Sequence, residues 1–252
     1  MDTSPATISR ARHDAVVFDL YGVVTQTSIV HAAAWKALFD SYIRTRAANE
    51  GNDFRPFDQN TDYRLYVDGK PRYDGVRDFL ASRGIVLPLG QPSDPPELET
   101  VCGLGNRKNV FFNAEVKEHG IKTYPSTVAL IHRLRKAGVR VGLMSSSKNT
   151  TMILDVAGLT DLFEVRVDGV AGEELGLPGK PDPAMYLETA RRLGVAPARA
   201  VVVEDALAGV EAGRRGGFAL VIGVDRLGQA EALRQHGADV VVSDLAEVTF
   251  EA

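Results

Sequence analysis

Three groups of oxygen-bearing residues stand where short apolar runs end. Asp19 and Tyr21 follow Ala15-Val16-Val17-Phe18, Ser145 to Ser147 follow Val141-Gly142-Leu143-Met144, and Glu204 with Asp205 follow Ala200-Val201-Val202-Val203. A carboxylate can attack an electrophilic centre or hold a hard divalent cation, and a hydroxyl can hydrogen-bond an oxyanion. Singly, each residue has a plainer reading, because an Asp at a strand end usually caps a turn or a helix. Three such groups at strand ends point to one shared site.

The elements that must position them follow from periodicity. From Pro125 onward, helices are expected at 126–137, 150–157, 183–193, 207–215 and 228–236, alternating with strands at 139–144, 165–167, 200–203, 219–224 and 240–242. Strands that are apolar throughout and alternate with helices imply a parallel sheet covered on both faces, an α/β fold with a Rossmann-like core. In such sheets ligands bind beyond the carboxyl ends of the strands, where all three groups fall. Between Asp19 and Ser145 lie helical patterns at 29–45, 74–82 and 107–118, a polar stretch at 46–62 and a Pro-rich stretch at 88–96. These residues read as a helical cap domain inserted after the first core strand. The expected division is a core of 1–27 and 121–252 with a cap of 28–120 that acts as a lid.

Composition narrows the partners. The net charge of -4 and the scattered Lys and Arg leave no basic footprint for nucleic acid. No run approaches the roughly 20 apolar residues of a membrane helix, and the first residues lack an apolar signal core, so a cytoplasmic protein is expected. Cys102 is the single cysteine, which excludes an internal disulfide and reads as a bland buried thiol. Gly103-Leu104-Gly105 and the glycines of 172–179 fail the dinucleotide fingerprint, so no nucleotide cofactor is expected. A monomer is expected, with a dimer as the alternative.

Four ordered motifs give the chain a resemblance to the haloacid dehalogenase-like superfamily, in its beta-phosphoglucomutase-like branch. Phe18-Asp19-Leu20-Tyr21-Gly22-Val23 is similar to the strand followed by Asp-x-Asp-Gly-Val, and Val141 to Ser145 to the strand ending in Ser or Thr. Gly179-Lys180-Pro181-Asp182-Pro183 matches the Gly-Lys-Pro-x-Pro loop, and Glu204-Asp205-Ala206-Leu207-Ala208-Gly209 the Glu-Asp-x-x-x-Gly strand end. The segments 66–76 and 101–109 also look like actinobacterial sugar-phosphate mutase relatives, including the extra module ahead of some mycobacterial trehalose-phosphate phosphatases. The resemblance implies a Mg2+-dependent phosphomutase or phosphatase of small sugar phosphates. Asp19 would be the nucleophile that becomes an aspartyl phosphate. Asp19, Asp205 and the backbone carbonyl of Tyr21 would hold Mg2+, with Glu204 as an outer ligand. Lys180 would offset the gathered negative charge, and Ser145 would hydrogen-bond the transferring oxygens.

Two further groups follow from the same resemblance. Thr27, His31, Arg72 and Lys108 in the cap, and Ser146, Ser147, Lys148 and Asn149 after the second strand, would line the substrate pocket; an arginine fork suits a phosphate. Trp35 lies on an apolar helical stripe and reads as core packing. One position departs from the pattern. Tyr21 stands where the branch has a second Asp as general acid and base, and a phenol near pKa 10 donates a proton but is a poor base at neutral pH. Three accounts compete: a descendant that binds but hardly turns over, an enzyme using another acid such as His31, or an altered chain. The alternative function is therefore a catalytically impaired sugar-phosphate binding or regulatory module.

Overall fold

The computed structural model describes residues 6–51 and 54–251. They form two compact units, one of Thr27–Gly120 and one joining the residues up to Gln26 to those from Ile121 onward. Thr27 goes with the helix that it precedes, one residue earlier than the sequence reading drew the line.

The larger unit is built on strands β1 (Thr7–Ser9), β2 (Ala15–Asp19), β3 (Arg140–Met144), β4 (Val165–Val167), β5 (Ala200–Glu204), β6 (Leu220–Val224), β7 (Val240–Val242) and β8 (Thr249–Glu251). Six of them form one parallel sheet in the order β4-β3-β2-β5-β6-β7, while β1 and β8 pair separately. Every residue of β2 and β5 is buried, so both faces of the sheet need cover. Helices α4 (Pro125–Lys136), α5 (Thr150–Ala157), α6 (Gly169–Glu174), α7 (Ala184–Arg192), α8 (Leu207–Arg215) and α9 (Ala230–Gln235) belong to the same unit, alternating with the strands. On one side Met185, Tyr186, Ala190 and Val210 close over Val17, Met144 and Val202. Each fully buried aliphatic side chain of this kind contributes about 1.5–3 kcal/mol.

Register brings the polar groups together. Asp19 lies opposite Met144 and Phe18 opposite Val203, so Ser145 and Glu204 sit one step on at the same sheet edge as Asp19. This is the α/β arrangement that the apolar runs implied.

The smaller unit contains α1 (Ser28–Glu50), a π-helical turn at Tyr63–Val67, α2 (Arg72–Ser82) and α3 (Val101–His119). Its core is aromatic: Phe39 stands 4.0 Å from Phe79 and 5.3 Å from Phe57, and Trp35 stacks on Phe39 at 5.2 Å. Two boundaries differ from the sequence reading. Helix α1 continues through the polar residues after Thr45 and ends at Gly51 in the left-handed conformation. Helix α3 begins six residues before Arg107, where Thr100 caps it by accepting from the Gly103 amide at 2.9 Å. Gly103 and Gly105 depress helix propensity there, but Val101, Cys102 and Leu104 are buried, and packing overrides propensity. Helix α6 and the β1–β8 pair are too short to give a periodic signal. Among the described residues, no helix is long and apolar enough to cross a membrane.

Candidate active site

Asp19 ends β2, Glu204 ends β5, and Asp205 is the next residue; one carboxylate oxygen from each lies within 4.8 Å of the others. All three are buried. Lys180 enters from the loop before α7 and its Nζ donates to Asp19 Oδ1 at 2.6 Å and to Glu204 Oε1. Burial alone would lower its pKa, but Asp19 and then Glu204 outweigh that and the value is raised, so Lys180 is a cation here.

Four donors converge on Glu204. Oε1 accepts from Lys180 and from the Tyr186 hydroxyl at 2.8 Å, and Oε2 accepts the amides of Asp205 and Ala206, each at 2.9 Å. Burial, then Glu204, raises the Tyr186 pKa, which keeps the phenol a donor. Glu204 is thus a fixed anchor whose acceptor positions are engaged, and Asp19 with Asp205 are the better first ligands for a cation. Three carboxyl groups gather around one lysine, and their ligand atoms are all oxygen. Both features fit a hard divalent ion. Two glycines make this packing possible. Gly22, at φ +79°, lies so close to Asp205 that a Cβ would be 1.6 Å from Oδ2, and a Cβ at Gly209 would be 1.9 Å from Glu204 Oε1.

Tyr21 turns toward the loop after β3, where its hydroxyl donates to Ser147 Oγ at 2.6 Å. Ser147 Oγ also accepts the Asn149 amide at 3.0 Å, and the Ser147 amide donates to buried Ser145 Oγ at 3.2 Å. Ser146 to Asn149 therefore form a compact turn whose backbone backs onto Gly169. Lys148 pairs with Glu173 at 2.7 Å.

A second group lies within the smaller unit. His31 on α1 and Lys108 on α3 are buried, with Lys108 Nζ hydrogen-bonded to His31 Nδ1. His31 stacks on Phe112 at 4.1 Å, and Lys108 Nζ lies over the rings of Trp35 and Phe112. Burial lowers the pKa of both, His31 further through Lys108 and Arg72, and Lys108 through Arg72. Arg72, at the start of α2, is held by Asn109 Oδ1 at 3.0 Å and Asn106 Oδ1 at 3.5 Å. Buried Thr27 stands at the head of α1, its carbonyl accepting the His31 amide at 2.8 Å.

Sequence reasoning missed Tyr186, Asn106, Arg226 and Gln229. Tyr186 carries no motif signal, and only burial beside Glu204 reveals it. Gly209 was legible as the last residue of the fourth motif, although its purpose was not.

The acidic strand edge of this α/β unit, with Lys180 against it, offers oxygen ligands that can hold a cation. A profile of the haloacid dehalogenase-like hydrolases matches residues 13–217. A beta-phosphoglucomutase of Mycobacterium tuberculosis is 49% identical over 237 residues, covering 93% of this chain and 90% of that protein. The chain belongs to the haloacid dehalogenase-like hydrolase family. A trehalose-phosphate phosphatase of Mycobacterium leprae is 40% identical over 127 residues, 49% of this chain and 28% of that protein. The crystal structure of a beta-phosphoglucomutase from Clostridium difficile shares the fold, with TM-score 0.71 and 24% identity over 93% of this chain and 92% of that one.

Proposed function

We propose that this chain is a Mg2+-dependent phosphomutase or phosphatase of small sugar phosphates that works through an aspartyl phosphate on Asp19. One observation carries the reading: the Asp19 carboxylate is held by Lys180 at 2.6 Å in a buried cluster with Glu204 and Asp205. The relatedness to beta-phosphoglucomutases supports the sugar-phosphate substrate.

In this reading Asp19 attacks the phosphorus in line, and the sugar oxygen departs. Mg2+, when bound by Asp19, Asp205 and the Tyr21 carbonyl with Glu204 behind them, supplies the charge that lets one anion approach another. Lys180 offsets the carboxylates and the incoming phosphate together. Ser145 and the amides of the following turn hold the transferring oxygens. His31, Arg72 and Lys108, with Thr27, form the cap's anion-binding group, and Ser146, Ser147, Lys148 and Asn149 line the pocket beside Ser145. Substrate phosphate would draw a proton onto the His31–Lys108 pair, whose burial otherwise disfavours charge.

Tyr21 sets the rate. Its hydroxyl proton is directed at Ser147, and a phenol does not act as a base near neutral pH. Loss of acid and base assistance costs about 10²- to 10⁴-fold, which leaves slow transfer. The same hydrogen bond favours a second reading, a sugar-phosphate binding or regulatory module with little turnover. The purified chain, incubated with Mg2+ and either β-glucose 1-phosphate or its 1,6-bisphosphate, tests the first. Failure of both turnover and Asp19 phosphorylation would discard it. Tyr21→Asp separates the two readings: a large gain in turnover marks a disabled enzyme, and a loss means that the phenol participates.

A further inference from the structure

Two polar side chains outside every motif reach the acidic edge from the loop that follows β6. Arg226 donates Nε–H to the Gly22 carbonyl at 2.8 Å and Nη1–H to the Ser243 carbonyl at 3.0 Å, and its guanidinium lies 3.7 Å from the centre of the Tyr124 ring. Gln229 is buried and donates Nε2–H to the backbone carbonyl of Asp205 at 3.3 Å. The loop is itself braced, since Asp225 Oδ1 accepts the amides of Leu227 at 3.2 Å and Gln229 at 2.8 Å.

Arg226 Nη1 also pairs with Asp244 Oδ2 at 3.6 Å, but that contact does not account for the rest of the arrangement. Arg226 Nη2 and Gln229 Oε1 are buried, and neither has a hydrogen-bond partner among the described residues. Each orphaned polar atom costs about 1–3 kcal/mol. A loop kept for packing would be better served by apolar side chains. What the two residues achieve is mechanical. A Cβ at Gly22 would fall 1.6 Å from Oδ2 and 2.9 Å from Oδ1 of Asp205, so the position of Gly22 limits where that carboxylate can be. Arg226 holds the Gly22 carbonyl, and Gln229 holds the Asp205 carbonyl.

We propose that Arg226 and Gln229 are positioning residues that hold Asp205 at cation-binding distance from Asp19. The proposal rests on the reading of Asp19 and Asp205 as the cation site. The planar fork of Arg226 serves two carbonyls while stacking on Tyr124, which one ammonium does not reproduce, so Arg226→Lys should behave like Arg226→Ala.

The experiment uses Mn2+ alone as the probe, titrated into the whole chain and followed by electron paramagnetic resonance, with melting midpoints measured on the same samples. Residues that orient metal ligands typically contribute about 10- to 100-fold in metal affinity. Gln229→Leu and Arg226→Ala should each weaken Mn2+ binding by that factor. Gln229→Leu should leave the midpoint nearly unchanged, and guanidinium ion added to Arg226→Ala should restore affinity. Wild-type affinity in Gln229→Leu would overturn the proposal, even where Arg226→Ala fails to fold. So would a loss in Arg226→Ala that follows its melting midpoint and is not rescued. Asp205→Asn is the control: if wild-type binding does not depend on Asp205, the cation reading falls and takes the proposal with it. Asp205-dependent binding with unaffected variants defeats the proposal alone.

Discussion

Replacing Lys180 by Met removes the ammonium that pairs with Asp19 and Glu204 and leaves three carboxylates with oxygens within 4.8 Å of one another. Breaking a buried ion pair from one side costs about 3–5 kcal/mol, because the stranded charge stays out of water. For a chain of this size each kcal/mol moves the melting midpoint by about 2–4 °C, so a fall of roughly 6–20 °C is expected in metal-free buffer at pH 7. Lys180 has a raised pKa in the fold. Its stabilising contribution is therefore complete below the unfolded lysine value of about 10.4 and fades only as pH climbs through the higher folded value. The gap between wild type and variant should hold steady from about pH 7 to 9. Mg2+ at a hundred times its Kd should return about 2.7 kcal/mol to whichever form binds it. Calorimetry of both proteins, with chelator and with Mg2+, reads all of this. A metal-free gap below about 1 kcal/mol, the scale of an exposed pair, would refute the view of Lys180 as the counter-charge of a buried cluster.

Other outcomes follow from the same geometry. Gly22→Ala places a Cβ on Asp205 Oδ2 at a φ of +79°, and should abolish Mn2+ binding and lower stability by about 1–3 kcal/mol, read by titration and denaturant melts. Lys108→Met removes a buried amine whose pKa is lowered, first by burial and then by Arg72, and should raise the melting midpoint while weakening capture of a sugar phosphate; a lower midpoint would contradict it. His31 has a lowered folded pKa, so its neutral form is what the fold accommodates. The stability it contributes is present above the unfolded value of about 6.5 and is lost as pH falls below it. His31→Gln should flatten that acid limb in a pH series of denaturant midpoints.

The parts of the site on strand ends were legible because buried parallel strands write themselves as unbroken apolar runs, and a carboxylate closing such a run is conspicuous. Asp19, Ser145, Glu204 and Asp205 stood out for that reason, and the resemblance added Lys180. What the sequence hid is support. Tyr186 reaches Glu204 from one turn of α7, and Arg226 and Gln229 reach three backbone carbonyls from a loop. Bonds to backbone atoms carry no partner residue type, so no pairing in the sequence announces them. The early start of α3 was hidden by the low helix propensity of Gly103 and Gly105, which the Thr100 cap and buried neighbours offset. Tyr21 was conspicuous by type, but only the coordinates reveal that its hydroxyl is given to Ser147.

Phosphorylation of Asp19 tests the central claim most directly. The 252-residue chain, mixed with Mg2+ and β-glucose 1,6-bisphosphate and quenched in acid, would be digested and read by mass spectrometry. The account predicts a Mg2+-dependent phosphoryl group on the Asp19 peptide, sensitive to hydroxylamine and absent in Asp19→Asn. An unmodified Asp19 in a sample shown to bind both Mg2+ and the bisphosphate, or a phosphoryl group on any other residue, would contradict it.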